Sequence, residues 1–119
     1  MKMNMQVVPM LPVNHLQRAV EFYEKLGFAV DERRDEWGWA SLDYGDCRLM
    51  LDESIMAAAN GPRNAVVYLY PENIEEYHAS VRAKGLGIPD LETTFYGMTE
   101  FRITDPDGNN LWIGQQNTE

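Results

Sequence analysis

The stretch "DPDGNNLWIG", residues 105–114, runs a polar turn straight into a strand. Asp105, Pro106, Asp107, Gly108 and Asn109 are all turn formers. Leu111, Trp112 and Ile113 then follow as three large apolar residues in a row. A strand with one wet face alternates apolar with polar residues, so this strand must use both faces. Successive strand side chains point to opposite sides. If Leu111 and Ile113 face a core, Trp112 looks into something else.

Working outward from that strand, residues 99–104 and roughly 91–95 read as two more strands. Before them, Asn73 is placed to cap a helix carrying Ile74, Tyr77 and Val81, which Gly85 ends. Residues 65–70 form the strand that leads into it. The first half of the chain has the same order. A strand pattern at 6–11 leads to Asn14 as a helix cap. An apolar stripe of Leu16, Ala19, Val20, Tyr23 and Leu26 follows, with a stop at Gly27. Candidate strands come next at 28–33, 37–43 and 47–52. Residues 53–64, with Asn60, Gly61 and Pro62, read as a loop. A shift of 58 positions puts Val8 on Val66, Leu16 on Ile74 and Gly27 on Gly85. A shift of 62 puts Leu49 on Leu111, Met50 on Trp112 and Leu51 on Ile113. The 119 residues therefore read as one α+β domain built from two βαβββ modules, about 6–52 and 64–115.

Composition narrows the function classes. Net charge is −9, which repels nucleic acid and anionic lipid and favours a cationic ligand. No run approaches the roughly 20 apolar residues of a membrane span, and the N-terminal residues lack a secretory-signal pattern. The single Cys47 excludes an internal disulfide framework and fits a reducing compartment, so a cytoplasmic location is expected. Nothing in the chain spells a phosphate loop, a cysteine-rich metal cluster or a Ser-His-Asp pattern. His15 and His78 fall on different helices and read as capping-region or packing residues. Cys47 alternates toward the helices and reads as a small core residue rather than a nucleophile.

"AVEFYEKLGF" at 19–28 and "FRITDPDGNNLW" at 101–112, within two βαβββ modules, resemble the vicinal oxygen chelate superfamily, which spans glyoxalase, bleomycin-resistance proteins and dioxygenases. The resemblance implies a curved eight-stranded sheet around a cleft, with the helices outside. Alternation then turns Trp39, Ser41, Arg48, Met50 and Asp52 of the first module toward the cleft. Tyr68, Tyr70, Glu100, Arg102 and Trp112 of the second module join them. The family's enzymes hold a divalent metal with His or Glu at four strand positions. Carried over one at a time, these fall on Val8, Met50, Val66 and Trp112. Hydrocarbon offers no lone pairs to a metal, so neither a metal nor another cofactor is expected.

What remains is an aromatic cleft. It resembles the metal-free bleomycin-resistance branch, in which an aromatic-Gly pair contributes to the ligand groove; Tyr96 and Gly97 stand at that pair. Trp37, beside the charged run "DERRDE" at 31–36, would stand at the rim. The expected ligand set is Trp37, Trp39, Arg48, Met50, Asp52, Tyr68, Tyr70, Tyr96, Glu100, Arg102 and Trp112, with no catalytic residue and no metal. The expected function is antibiotic-resistance-like sequestration of a small planar organic molecule, with a cation favoured by the acidic charge. Two alternatives stand beside it: a metal-independent enzyme using Glu100 and a cleft tyrosine, which requires a raised Glu100 pKa, and a glyoxalase or thiol-transferase type metalloenzyme. The family resemblance also implies a homodimer, to which the apolar N-terminal tail would contribute.

Overall fold

The computed structural model describes residues 5–55 and 64–117. The elements are β1 (Met10–Pro12), α1 (Leu16–Lys25), β2 (Ala29–Arg34), β3 (Trp39–Tyr44), β4 (Cys47–Asp52), β5 (Val66–Leu69), α2 (Ile74–Ala83), β6 (Glu92–Thr93), β7 (Met98–Thr104) and β8 (Asn110–Gln116). They form two four-stranded sheets, ordered β1-β4-β3-β2 and β5-β8-β7-β6. In each, the first strand pairs parallel with the last, and the other pairs are antiparallel. This is the α+β arrangement of two βαβββ modules. The repeat extends to register, since Met10 pairs with Met50 as Tyr68 pairs with Trp112.

Most element boundaries follow local chemistry. Leu16, Ala19, Val20 and Tyr23 put one buried stripe on α1. Gly27 and Gly85 close the helices at φ 104° and 91°, a region that costs glycine nothing. Asn73 caps α2 by accepting the Glu76 amide at 3.1 Å. Three expectations need correcting. Strand β1 begins at Met10 rather than at residue 6. Pro9 and Pro12 have no amide to give the ladder, although the Pro9 carbonyl still accepts from the Met50 amide at 2.8 Å. Asn14 does not cap α1; His15 holds the cap position without a side-chain bond. The Leu16 amide donates instead to Glu53 Oε2 at 2.7 Å, and in the second module the Ile74 amide donates to Gln115 Oε1 at 2.9 Å. Glu53 and Gln115 are related by the same shift of 62 that relates the last strands (115 − 53). The strand expected near residues 91–95 shrinks to Glu92–Thr93, with Phe95 fully exposed beyond it.

Alternation divides each sheet as anticipated. Ala40, Leu42, Leu49, Leu51, Leu111 and Ile113 are buried, and Val67 and Leu69 pack against them in a core cluster that spans both modules. Cys47 departs from this pattern and is exposed. It pairs with Tyr44 at the turn end of the β3–β4 hairpin, beyond the cover of the core. It is therefore not the small core residue its alternation suggested.

The joint between the modules is built by the "DPDGN" turn. Asp105 is buried and accepts the Tyr23 hydroxyl of α1 at 2.7 Å. It also accepts the Asp107 amide, the Asn109 amide and Asn109 Nδ2, each within 2.9 Å. Asn109 Nδ2 reaches across to the Pro12 carbonyl at 3.0 Å, and Asp107 Oδ1 accepts the Asn14 amide and Arg18 Nη2. Burial first, and then the Asp105 charge, push the Tyr23 hydroxyl far above the ordinary phenol range, so it stays a donor. A bond to a charged acceptor contributes about 1.5–3 kcal/mol. Tyr23→Phe should lower unfolding stability by that amount in urea titrations. Asp105→Ala orphans four donors and should cost more.

Candidate functional site

On the second sheet, the row Tyr68, Trp112 and Arg102 crosses β5, β8 and β7 in direct register. Tyr68 meets Trp112 edge-on at 5.9 Å and stacks on Tyr70 at 4.7 Å with 17° between the planes. The Arg102 guanidinium lies 3.5 Å from the Trp112 ring centroid. One row along, Glu100 is only 2% exposed and accepts three hydrogen bonds: Tyr68 hydroxyl at 2.5 Å, Arg102 Nε at 2.7 Å and Tyr96 hydroxyl at 2.8 Å. Arg102 Nη2 also donates to the Tyr96 oxygen at 2.8 Å. Glu100 has this space because residue 114, its partner across the sheet, is glycine. A Cβ there would stand 2.8 Å from Glu100 Cβ and 3.3 Å from the Tyr68 oxygen.

The electrostatics follow from these contacts. Burial alone would raise the Glu100 pKa. The hydrogen bonds from Tyr68, Arg102 and Tyr96 outweigh it and hold the carboxyl below its ordinary range. Arg102 is held above its ordinary value mainly by its bond to Glu100. Burial, and then the bond to Glu100, push the Tyr68 hydroxyl well above an ordinary phenol. Glu100 is thus a paired anion, and the raised pKa that an acid–base role requires is reversed in sign.

The first sheet carries the other expected residues. Trp39 lies 6.3 Å from Trp37, which is 62% exposed with the Arg34 guanidinium over it at 5.4 Å. Met50 pairs with Ser41, whose Oγ is buried and has no hydrogen-bond partner among the described residues. Arg48 is paired with Asp43 and Asp31, and Asp52 is occupied by the amide and hydroxyl of Ser54. So the structure brings Tyr68, Tyr70, Tyr96, Glu100, Arg102 and Trp112 together, and separately Trp37 and Trp39. Among the described residues no hydrogen bond, ion pair or ring contact joins the two groups. The described residues form a flat body with extents of 48 × 46 × 27 Å. His15 is exposed. His78 is buried, bonded through Nε2 to the Pro89 carbonyl and edge-on to Phe101, a packing role.

Residues 6–113 match the family model described as the Glyoxalase/Bleomycin resistance protein/Dioxygenase superfamily. The chain belongs to this superfamily. It is 26% identical to a bleomycin resistance protein of Staphylococcus aureus, across 94% of this chain and 97% of the relative. Among solved structures it resembles a bleomycin resistance determinant encoded on transposon Tn5, with a TM-score of 0.77 and 25% identity over 97% of this chain and 100% of that one. It is equally similar to a bleomycin-binding protein solved with bleomycin: TM-score 0.77 and 25% identity over 96% of this chain and 100% of that one. The superfamily's metal can be tested against the residues present. Val8, Met50, Val66 and Trp112 offer no His or carboxylate donor. Among the described residues no three His, Cys, Asp or Glu side chains come together as a ligand set. The superfamily metal site does not fit this chain, and no chemistry is routed through it. No helix among the described residues is long and apolar enough to cross a membrane.

The sequence reasoning passed over Gly114, whose only signal is its place opposite Glu100. Gly114→Ala should split the Glu100–Tyr68 contact and lower the thermal midpoint. A carboxyl with a depressed pKa stabilises the fold above its unfolded value near 4.3, and that contribution is lost as pH falls through the lower folded value. Glu100→Gln should therefore be less stable than the parent by about 1–3 kcal/mol at pH 7. In urea titrations the gap should close below pH 4. A constant gap across that range would refute the assignment.

Proposed function

We propose that this chain is a binding protein. It sequesters a small planar organic molecule, preferentially a cation, on the faces that its two sheets turn away from the core. The observation that carries the proposal is the Arg102 guanidinium on Trp112. A planar, delocalised cation already lies on the indole face while a buried carboxylate holds its edge. A flat cationic ligand needs the same pair of contacts. The bleomycin-binding relative supports this class of ligand. The reading stays with the class and does not extend to bleomycin, because Arg102 and Arg48 add positive charge to both faces.

Trp39 opens β3 with Trp37 in the short turn just before it, and Trp112, Tyr68 and the adjoining Tyr70 belong to the second sheet and its edge, so each sheet carries half of an aromatic clamp. A homodimer in which a second copy sets its first sheet against this second sheet would complete it. The exposed Met5 and Val7 ahead of β1 would add apolar contact to that pairing.

All three tryptophans of the chain belong to these two faces, so intrinsic tryptophan fluorescence reports ligand with no background from the core. Proflavine should quench it saturably, a neutral aliphatic ligand should not, and a chelator should change nothing. Ligand must displace Arg102 to reach Trp112. Arg102→Ala should therefore bind proflavine about 2–30 times more tightly, the equivalent of one cation–π contact of 0.5–2 kcal/mol. Absence of quenching in both proteins would overturn the proposal.

A further inference from the structure

Between the modules, the turn end of the β3–β4 hairpin faces the end of β5 and the helix α2 and leaves a cavity of about 210 Å³. Phe28, Tyr44, Cys47, Tyr70, Pro71 and Tyr77 form most of its wall. The rings are set before any ligand arrives. Tyr44 meets Phe28 edge-on at 5.5 Å and Tyr77 at 6.2 Å. Tyr44 also lies so close to Gly27 that a Cβ there would stand 2.7 Å from its Cε2. The Tyr77 hydroxyl is tied to the Leu26 carbonyl, and Tyr70 is stacked on Tyr68. Yet Tyr44 and Tyr70 keep 43% and 67% of their surface exposed. Core packing accounts for neither ring, and rigid aromatic walls with few polar groups are what small-molecule sites are made of.

Past Tyr44, Tyr70 and Tyr77 the cavity opens onto a wider groove of about 730 Å³ that carries Asp46, Glu72 and Glu76. Among the described residues neither lining includes a Lys, Arg or His. The two sheet faces differ in this respect, since Arg48 and Arg102 sit beside their carboxylates. The potential here is uncompensated and negative, which concentrates cations.

We infer that this inter-module cavity is a second small-molecule site, formed within one subunit, for an aromatic amine. The ring lies among Tyr44, Tyr70 and Tyr77, and the ammonium reaches toward Asp46, Glu72 and Glu76. The volume is below the roughly 300–1,000 Å³ of drug-sized pockets, so it suits one or two fused rings on a short arm. The site shares Tyr68 and Tyr70 with the second sheet face but does not use Trp112 or Trp39, so loss of Trp112 distinguishes the two.

Cys47 is the single cysteine of the chain and part of the cavity wall, so the rate of its reaction with a disulfide reagent such as DTNB reads the cavity directly. The probe is 1-naphthylmethylamine, with 1-naphthoate as the matched anion. The amine should slow labelling saturably, by at least threefold, and the naphthoate should not. Asp46→Asn combined with Glu72→Gln changes two exposed side chains and should weaken the protection by at least threefold at unchanged circular dichroism. Trp112→Ala should leave the protection intact. Equal protection by both probes, or none by either, would overturn the inference. So would a Cys47 that is unreactive in the native protein, because a second copy of the chain would then be covering the cavity.

Discussion

A single buried carboxylate, Asp105, fixes how the two halves of this chain meet. It closes its own turn by accepting the amides of Asp107 and Asn109, and it accepts the Tyr23 hydroxyl from the helix of the other module. Burying an anion is unfavourable unless its lone pairs are occupied. Here four donors occupy them. The turn then presents Asp107 and Asn109 to Asn14, Arg18 and Pro12. One short motif therefore acts as turn, helix anchor and inter-module joint. The shared core and the placement of both sheets follow from that joint.

The same economy governs the second sheet. The four positions onto which the superfamily resemblance carries metal ligation hold Val8, Met50, Val66 and Trp112 in this chain. Trp112 makes no coordinate bond but offers a π face, and Arg102 covers it while Glu100 holds Arg102 in place. Glu100 is in turn made possible by the missing side chain at Gly114. On the proposed function, this face is a preformed slot for a flat cation, closed by a side chain of the chain itself. Such a face discriminates by charge delocalisation and shape rather than by Lewis acidity.

Much of this was legible in the sequence. The apolar stripe from Leu16 to Leu26, the stops at Gly27 and Gly85, and the repeated offsets gave both modules, because these signals are local or periodic. Alternation placed Leu111 and Ile113 inward and Trp112 on the other face. Features that depend on residues distant along the chain were not legible. Glu53 caps a helix whose first amide is 37 residues away, so Asn14 looked like the cap. Cys47 looked internal because alternation does not show where the core ends. The largest influence lowering the Glu100 pKa is the hydrogen bond from Tyr68, 32 residues away, which only the folded sheet brings near. Alternation assigns Trp39 and Trp112 to faces but carries no distance between them.

The joint around Asp105 has a further consequence. Pro12, Asn14, Arg18 and Tyr23 on one side, and Asp105, Asp107 and Asn109 on the other, hold the halves together without covalent help. Separately translated halves are therefore expected to reassemble through these contacts on mixing. By the same logic, the ancestor of such a chain was free to exist as a pair of independent single-module polypeptides before any gene fusion.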